Sequence, residues 1–213
     1  MRLVAIADSH MYHDDVEIPD GDVLVHAGDM TRGGRMEELA TVADYLQALP
    51  HRHKIVIAGN HDWGFVRTPR PARKLFAGLT YLQDEGCEID GLSFWGSPWQ
   101  PEFFDWAFNL PRGPELAAVW AKIPDDTDVL VTHGPPRGFG DTTYDGRHEG
   151  CDDLLARIRQ VRPGLHLFGH IHEDRGHWRD GPTLIVNATV AEGMQPATVL
   201  DFADGVWQPA RPW

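Results

Sequence analysis

Short runs of apolar residues recur along the chain, and five of them stop abruptly at a polar motif. The runs are Ile6-Ala7, Val23-Leu24-Val25, Ile55-Val56-Ile57, Val129-Leu130-Val131 and Leu165-His166-Leu167-Phe168. Runs of this length that are rich in Val, Ile and Leu and bounded by Gly or Asp predict buried strands. Because ligands of open α/β sheets gather beyond the carboxyl ends of the strands, we expect the five polar motifs to meet at one place.

Between and after these strands, the spacing of apolar residues predicts helices and further strands. Apolar positions three and four apart predict a helix over residues 36–49, directly before Pro50. The remaining predicted elements are helices over 70–79, 114–123 and 151–161, strands over 81–82, 87–89, 92–95, 183–186 and 198–202, and a hairpin turn at Asp90-Gly91. Alternating strands and helices followed by strand pairs predict an α/β sandwich with mixed sheets.

The chain of 213 residues shows no internal repeat, low-complexity segment or linker composition, so we predict one domain over residues 1–213. Cys87 and Cys151 belong to no Cys-x-x-Cys pattern, which favours free thiols in a reducing, cytoplasmic compartment. No apolar stretch has the length of a membrane span, so no membrane partner is expected. A cleaved leader is not expected either, because its removal would delete the strand before Asp8.

Acidic residues outnumber basic ones by 32 to 19, which gives a formal net charge of −13 at pH 7. A chain of this charge is poorly suited to binding the phosphate backbone of a nucleic-acid polymer, so no polymeric nucleic acid is expected as a partner. A small anion that is drawn to a local positive centre remains compatible with the charge.

The polar motifs at the strand ends carry the candidate chemistry. They are Asp8-Ser9-His10, Gly28-Asp29, Gly59-Asn60-His61-Asp62, Thr132-His133-Gly134 and Gly169-His170-Ile171-His172. Each motif alone is typical of a turn or a solvated surface. All five together, each at the end of a predicted strand, indicate a site for two metal ions. Imidazole, carboxylate and amide oxygen without thiolate suit Mn, Fe, Zn, Co or Ni better than Ca or Mg.

In these motifs and their order, the chain resembles the calcineurin-like metallophosphoesterase family from Asp8 to His172. The resemblance implies a calcineurin-like four-layer α/β sandwich in which two mixed β-sheets are flanked by helices. It also implies two divalent transition-metal ions as cofactors, with manganese favoured. One ion would be bound by Asp8, His10, Asp29 and His172, and the other by Asp29, Asn60, His133 and His170, with Asp29 as the bridge.

The resemblance also implies roles for the two residues that follow Asn60. His61 is expected to face the leaving oxygen and to donate a proton or a hydrogen bond to it. Asp62 either orients that imidazole or serves as a turn or helix-capping carboxylate. With two dications, two carboxylates and a bridging hydroxide, the centre would keep a small positive charge, which attracts a phosphoryl group.

Asn60 and His61 are candidate substrate-binding residues, and two further segments are candidates as well. Residues 94–110 contain a dense aromatic cluster that either packs as a flap over one sheet or stacks a purine base, with Trp99 as the candidate contact. Residues 135–150 form a long Gly-rich loop directly after His133, with Arg137, Phe139 and Arg147 either as candidate contacts or as ordinary solvated loop residues.

The aromatic segment and the sequences around the histidine motifs look closest to the metallophosphoesterase-domain-containing branch, which is related to class III cyclic-nucleotide phosphodiesterases. The resemblance implies a phosphodiesterase that hydrolyses small phosphodiesters, cyclic or otherwise nucleotide-like, by attack of a metal-bridging hydroxide. A phosphomonoesterase or nucleotidase on the same site stays open, as does a purine-nucleotide-binding module with weak activity. The native metal and the oligomeric state, for which a homodimer is one option, stay open too.

Overall fold

The computed structural model describes residues 1–210, in which strands and helices alternate along most of the chain. The strands are β1 (Arg2–Ile6), β2 (Val23–Ala27), β3 (His53–Ile57), β4 (Thr80–Tyr81), β5 (Glu85–Ile89), β6 (Leu92–Ser97), β7 (Gln100–Pro101), β8 (Asn109–Leu110), β9 (Val129–Thr132), β10 (Leu165–Phe168), β11 (Gly176–Asp180), β12 (Thr183–Asn187), β13 (Thr198–Ala203) and β14 (Val206–Pro209). The helices are α1 (Met36–Ala48), α2 (Gly64–Arg67), α3 (Pro69–Leu75), α4 (Pro114–Trp120) and α5 (Asp152–Val161).

The strands form two six-stranded mixed sheets and one short two-stranded sheet. The order in the first sheet is β14-β13-β1-β2-β3-β4, in which β1 to β4 run parallel, while β13 pairs antiparallel with both β1 and β14. The order in the second sheet is β11-β12-β10-β9-β6-β5, in which the four central strands run parallel and the two edges are antiparallel. Two mixed sheets flanked by helices confirm the predicted α/β sandwich.

Alternation of side chains along the strands places one core between the sheets and another under each helical layer. Alternate residues of the central strands, such as Val25 and Ile57 in the first sheet, pack against Val131 and Leu167 in the second. The intervening residues face outward against the helices. They include Val4, Leu24 and Val56, which pack against α1, and Leu130, which packs against α4 and α5. The result is the four-layer arrangement of helix, sheet, sheet and helix.

The two sheets are joined where β1 ends. The amide of Ala7 donates to the carbonyl of Ala188, N···O 3.0 Å, and the amide of Val190 donates to the carbonyl of Ala7, N···O 2.9 Å. Ala188 follows β12 in the second sheet, and its own amide donates to the carbonyl of Phe168 at the end of β10. The carboxyl ends of strands from both sheets are therefore held next to one another.

Most predicted elements are present, with boundaries that differ by a few residues. The predicted helix over 70–79 ends at Leu75, and the one over 114–123 ends at Trp120. The predicted hairpin forms between β5 and β6, with positive φ at Asp90 and Gly91. The sequence pattern does not predict β11 or β14, because both are edge strands and lack a continuous run of buried apolar residues.

No helix within residues 1–210 is both long and apolar enough to cross a membrane.

The core between the sheets leads to a stability prediction. Leu167 is fully buried there, so Leu167→Ala should lower the free energy of unfolding by about 2–5 kcal/mol, since it removes buried methyl groups and leaves a cavity. Urea denaturation of the metal-free protein measures this loss. The control is Val206→Ala on the exposed edge strand β14, which should change the value by less than about 0.5 kcal/mol. Equal effects of the two variants would contradict the assignment of the core.

Candidate metal centre

All seven predicted metal ligands lie beyond the carboxyl ends of central strands. Asp8 and His10 follow β1, Asp29 follows β2, and Asn60 follows β3; His133 follows β9, and His170 and His172 follow β10. The first four therefore come from the first sheet and the last three from the second. Five of the seven are buried, whereas His170 and His172 are partly exposed.

The potential donor atoms form groups centred on the two carboxylates. Asp8 groups with His10 and His172, and Asp29 groups with His133 and His170, with the donor atoms of each group within 4.8 Å of one another. Asp29 also groups with His10 and His61. Asp29 thus belongs to two of the groups, one with His10 and His61 and one with His133 and His170.

Distances around Asp29 describe the centre in more detail. Its Oδ2 lies 3.4 Å from Nε2 of His133, 3.7 Å from Nε2 of His10 and 4.0 Å from Nε2 of His61. Asn60 joins the same group, because its Oδ1 lies 2.9 Å from Nε2 of His133. On the Asp8 side, Oδ1 lies 3.8 Å from Nε2 of His172.

Backbone carbonyls orient two of the imidazoles towards the centre. Nδ1 of His10 lies 3.2 Å from the carbonyl oxygen of Thr31, and Nδ1 of His133 lies 3.0 Å from that of Ala27. A carbonyl oxygen only accepts hydrogen bonds, so the proton of each neutral ring resides on Nδ1. The Nε2 lone pair is then directed at Asp29, which is how a metal-binding histidine is normally held.

The backbone at the centre explains why glycine adjoins the ligands. Asp8, His10, Asp29 and His170 all have positive φ, a conformation that is uncommon for residues with a side chain and that clusters at functional sites. A Cβ at Gly59 would lie 2.2 Å from Oδ1 of Asp29, and one at Gly169 would lie 2.4 Å from Oδ2 of Asp8. The carboxylates can occupy these positions only because no side chain is present there.

Burial and the facing charges perturb the pKa values of the central residues. Burial lowers the pKa of His133, but the carboxylate of Asp29 and its hydrogen bond outweigh burial and raise that pKa to about 9. Burial raises the pKa of Asp29, but His133 and the other facing imidazoles lower it well below its usual range. Burial and the neighbouring His133 lower the pKa of His170 to about 3. These opposed shifts indicate a buried carboxylate that requires positive charge beside it.

His61 lies at the partly exposed side of the cluster. Its ring packs edge-on against His10 at a centroid distance of 4.6 Å, and it lies 4.2 Å from the ring of Trp106, tilted by 30°. Its Nδ1 is 2.9 Å from the carbonyl oxygen of Arg32, and its backbone amide donates to Oδ1 of Asp29. These contacts leave Nε2 on the side of the metal ligands.

Asp62 does not make the predicted contact with the ring of His61, whose Nδ1 faces Arg32 instead. The Asp62 carboxylate is fully buried and accepts hydrogen bonds from the backbone amides of Met30, Thr31 and Gly59 and from the Thr31 hydroxyl. It therefore ties the loop after β2 to the loop after β3. This arrangement corresponds to the alternative in which Asp62 is a turn-stabilising carboxylate.

Trp99, Arg137 and Phe139 are predicted to contact substrate outside the histidine motifs, and two of them form hydrogen bonds within the protein. Trp99 is partly buried, and its Nε1 donates to Asp84, N···O 3.2 Å. The guanidinium of Arg137 donates to the carbonyl of His148 in its own loop, N···O 2.8 Å. Phe139 is partly buried in the same loop. Substrate contacts of Trp99, Arg137 and Phe139 remain predictions.

Other residues of the aromatic segment do reach the centre. The ring of Phe103 lies edge-on to that of His170 at a centroid distance of 6.1 Å, and Trp106 packs on His61. The amide of Ala107 donates to the carbonyl of Asn60, N···O 3.1 Å, which fixes this turn to the loop of a candidate ligand. The aromatic cluster points to this segment in the sequence. Which of its rings contact the histidines depends on a tight turn, and the sequence pattern does not indicate that turn.

Comparisons with known proteins agree with this arrangement. The profile of the family described as calcineurin-like phosphoesterase matches residues 1–174. The human (Homo sapiens) metallophosphoesterase domain-containing protein 1 is 40% identical to this chain, and the alignment covers 94% of the chain and 71% of that protein.

Solved structures share the fold at low sequence identity. The protein TT1561 of Thermus thermophilus aligns with a TM-score of 0.64 at 15% identity, covering 98% of this chain and 97% of that one. A protein described as a novel archaeal phosphodiesterase aligns with a TM-score of 0.56 at 16% identity, covering 98% of both chains.

The raised pKa of His133 leads to a prediction about metal affinity. In the metal-free protein this imidazole carries a proton below pH about 9, and a divalent ion must displace that proton to bind. The apparent affinity for Mn²⁺ should therefore rise by about tenfold per pH unit between pH 7 and 9 and level off above. Isothermal titration calorimetry measures it. The His61→Ala variant should retain the slope, and an affinity independent of pH would contradict the prediction.

Proposed function

The chain belongs to the calcineurin-like phosphoesterase family, whose members are metal-dependent phosphoric ester hydrolases, and we propose that it is a binuclear phosphodiesterase acting on small, nucleotide-like phosphodiesters. The observation that carries the proposal is the pair of donor groups around Asp8 and Asp29. In this proposal Asp29, which groups with donors from both sheets, would bind both ions.

The proposed ligand sets follow from the donor groups. Asp8, His10, Asp29 and His172 would bind one ion, and Asp29, Asn60, His133 and His170 would bind the other. Nitrogen and oxygen donors without a thiol suit Mn, Fe, Zn, Co or Ni, and we propose Mn²⁺ first. Two such ions would supply positive charge for a phosphoryl group and would acidify water at neutral pH. The directed Nε2 atoms of His10 and His133 support this fit.

His61 is proposed as the residue that assists the leaving group. The carbonyl of Arg32 holds its Nδ1, so the ring cannot turn without losing that hydrogen bond. When the imidazole is protonated, Nε2–H can donate a proton to the ester oxygen that departs. Trp106 covers one side of the ring and keeps it in this position. Asp62 is assigned no direct part in proton transfer, because its carboxylate is engaged with backbone amides.

The aromatic turn supports a substrate that carries a flat ring. Phe103 and Phe104 are 45% and 78% exposed, an unusual degree of exposure for two neighbouring aromatic side chains. The side chain of Asn109 donates to the backbone carbonyls of both residues, which fixes the turn beside His170. A nucleobase or another aromatic ring on the ester could stack there. The archaeal structural neighbour is described as a phosphodiesterase, in keeping with the proposal.

Net charge and cysteine content support a small-molecule substrate and a cytoplasmic location. The net charge of −13 favours a small-molecule phosphoester over a nucleic-acid polymer. Both cysteines, Cys87 and Cys151, are free thiols, in keeping with the proposed cytoplasmic location.

The decisive experiment is an activity panel on protein loaded with each transition metal in turn. The panel contains 2′,3′- and 3′,5′-cyclic nucleotides together with aryl mono- and diesters, and the metal content is measured on the same sample. We expect two ions per chain and faster hydrolysis of diesters than of monoesters. Faster hydrolysis of monoesters would favour a phosphomonoesterase. Failure with every metal would favour a nucleotide-binding module.

The role of His61 leads to a separate prediction. His61→Ala should lower kcat by about 10²–10⁴-fold, because the leaving oxygen loses its donor, while the protein still binds two ions. Elemental analysis and steady-state kinetics measure the two effects. His177→Ala on the exposed face of edge strand β11 is the matched control and should leave both unchanged. Loss of metal in parallel with activity would show that His61 is a ligand instead.

The aromatic turn leads to a prediction about selectivity. Phe104→Ala should lower the preference for thymidine 5′-(p-nitrophenyl phosphate) over methyl p-nitrophenyl phosphate by about 5- to 100-fold, because stacking on the thymine ring is lost. The ratio of the two kcat/KM values measures this preference. Val66→Ala on α2, which also shortens an exposed apolar side chain, should leave the ratio unchanged. An unchanged ratio in Phe104→Ala would assign the turn to packing alone.

A further inference from the structure

We propose that Arg32 is a specificity-determining residue that binds a second anionic group on the substrate, separate from the phosphoryl group at the metal centre. This inference rests on the proposed function and adds a preference for esters that carry additional negative charge.

Three contacts hold Arg32 beside the metal centre. Its Nε donates to the backbone carbonyl of His10, N···O 3.2 Å, and its own carbonyl faces Nδ1 of His61 at 2.9 Å. Its guanidinium lies over the ring of Tyr12, 4.6 Å from the centroid. The imidazoles of His10 and His61 both belong to the cluster around Asp29, so Arg32 lies at the rim of that cluster.

The guanidinium is held in place without being neutralised. Within residues 1–210, no carboxylate forms an ion pair with Arg32, and its Nη atoms have no hydrogen-bond partner, although acidic residues outnumber basic ones in this chain. The nearby Arg35, in contrast, pairs with Glu38 at 3.0 Å. An exposed guanidinium with a fixed Nε offers its two Nη groups to an oxyanion at little further cost in conformational entropy.

The chemistry of the free groups defines the ligand. A guanidinium presents a planar fork of donors that matches the oxygens of a phosphoryl group, and a charge-assisted pair of this kind is stronger than a neutral hydrogen bond. A phosphodiester held at the metal centre keeps one negative charge of its own. Arg32 would therefore favour an ester whose remaining substituent carries a further phosphoryl group.

The backbone arrangement makes the proposal testable by substitution of the side chain. The carbonyl of Arg32, and not its guanidinium, contacts His61, so a new side chain leaves that contact in place. Arg67 supplies the matched control, because its guanidinium also lies over an aromatic ring, 4.2 Å from the centroid of Trp63, and no carboxylate within residues 1–210 pairs with it. Arg32→Met and Arg67→Met thus each remove one exposed guanidinium that lies over an aromatic ring.

The test compares two esters with the same base and the same leaving group, thymidine 5′-(p-nitrophenyl phosphate) and its 3′-phosphorylated analogue. On the Mn²⁺-loaded protein, Arg32→Met should lower the preference for the 3′-phosphorylated ester by about tenfold, with the change in KM and not in kcat. Arg32→Lys, which retains the charge but loses the fork, should give an intermediate value. Arg67→Met should match the unsubstituted protein.

Equilibrium binding separates this inference from the proposed function. Calorimetry compares thymidine 3′,5′-bisphosphate with thymidine 5′-monophosphate on the Mn²⁺-loaded protein, and Arg32→Met should reduce the ratio of their affinities by about tenfold. If neither ester is hydrolysed, the proposed function fails, but this ratio still decides the role of Arg32. An unchanged ratio, or an equal loss of affinity for both compounds, would overturn the inference.

Discussion

The buried carboxylate of Asp29 is the group on which the rest of the centre depends. It comes from the first sheet and faces His133 from the second, with Nε2 at 3.4 Å. An ionised carboxylate without positive charge beside it is costly to bury, so both sheets must present cations or polarisable donors to this point. The perturbed pKa values of Asp29 and His133 reflect this requirement for positive charge, which two divalent ions would satisfy.

The two proposals assign recognition of the substrate to separate parts of the site. In the proposed function, the donors at the strand ends would hold the ions that bind the phosphoryl group, which every phosphoric ester shares. The exposed ring of Phe104 and the guanidinium of Arg32 lie on turns near candidate ligands and would contact other parts of the ester. On these proposals, the strand ends would supply the chemistry that all substrates share, and the turns would select among esters.

The positions of the candidate ligands can be predicted from the sequence, because each of them follows a buried strand with a clear apolar run. The sequence predicts the side-chain contacts around these candidate ligands poorly, since those contacts depend on how the turns fold in space. Trp99 and Trp106 are equally aromatic in the sequence, yet only Trp106 packs on His61. The carboxylate of Asp62 adjoins His61 in the chain but points to backbone amides. The edge strand β11 has no buried apolar run, because one side of it faces solvent.

The hydrogen bonds that connect Ala7 with Ala188 and Val190 join the two sheets directly beside Asp8. Four candidate ligands follow strands of one sheet and three follow strands of the other, so ions bound to all of them would link the two sheets. Free energy of metal binding is then also free energy of docking between the layers. Removal of the ions by a chelator would then destabilise both sheets, and the rate of amide hydrogen exchange would rise in both at once.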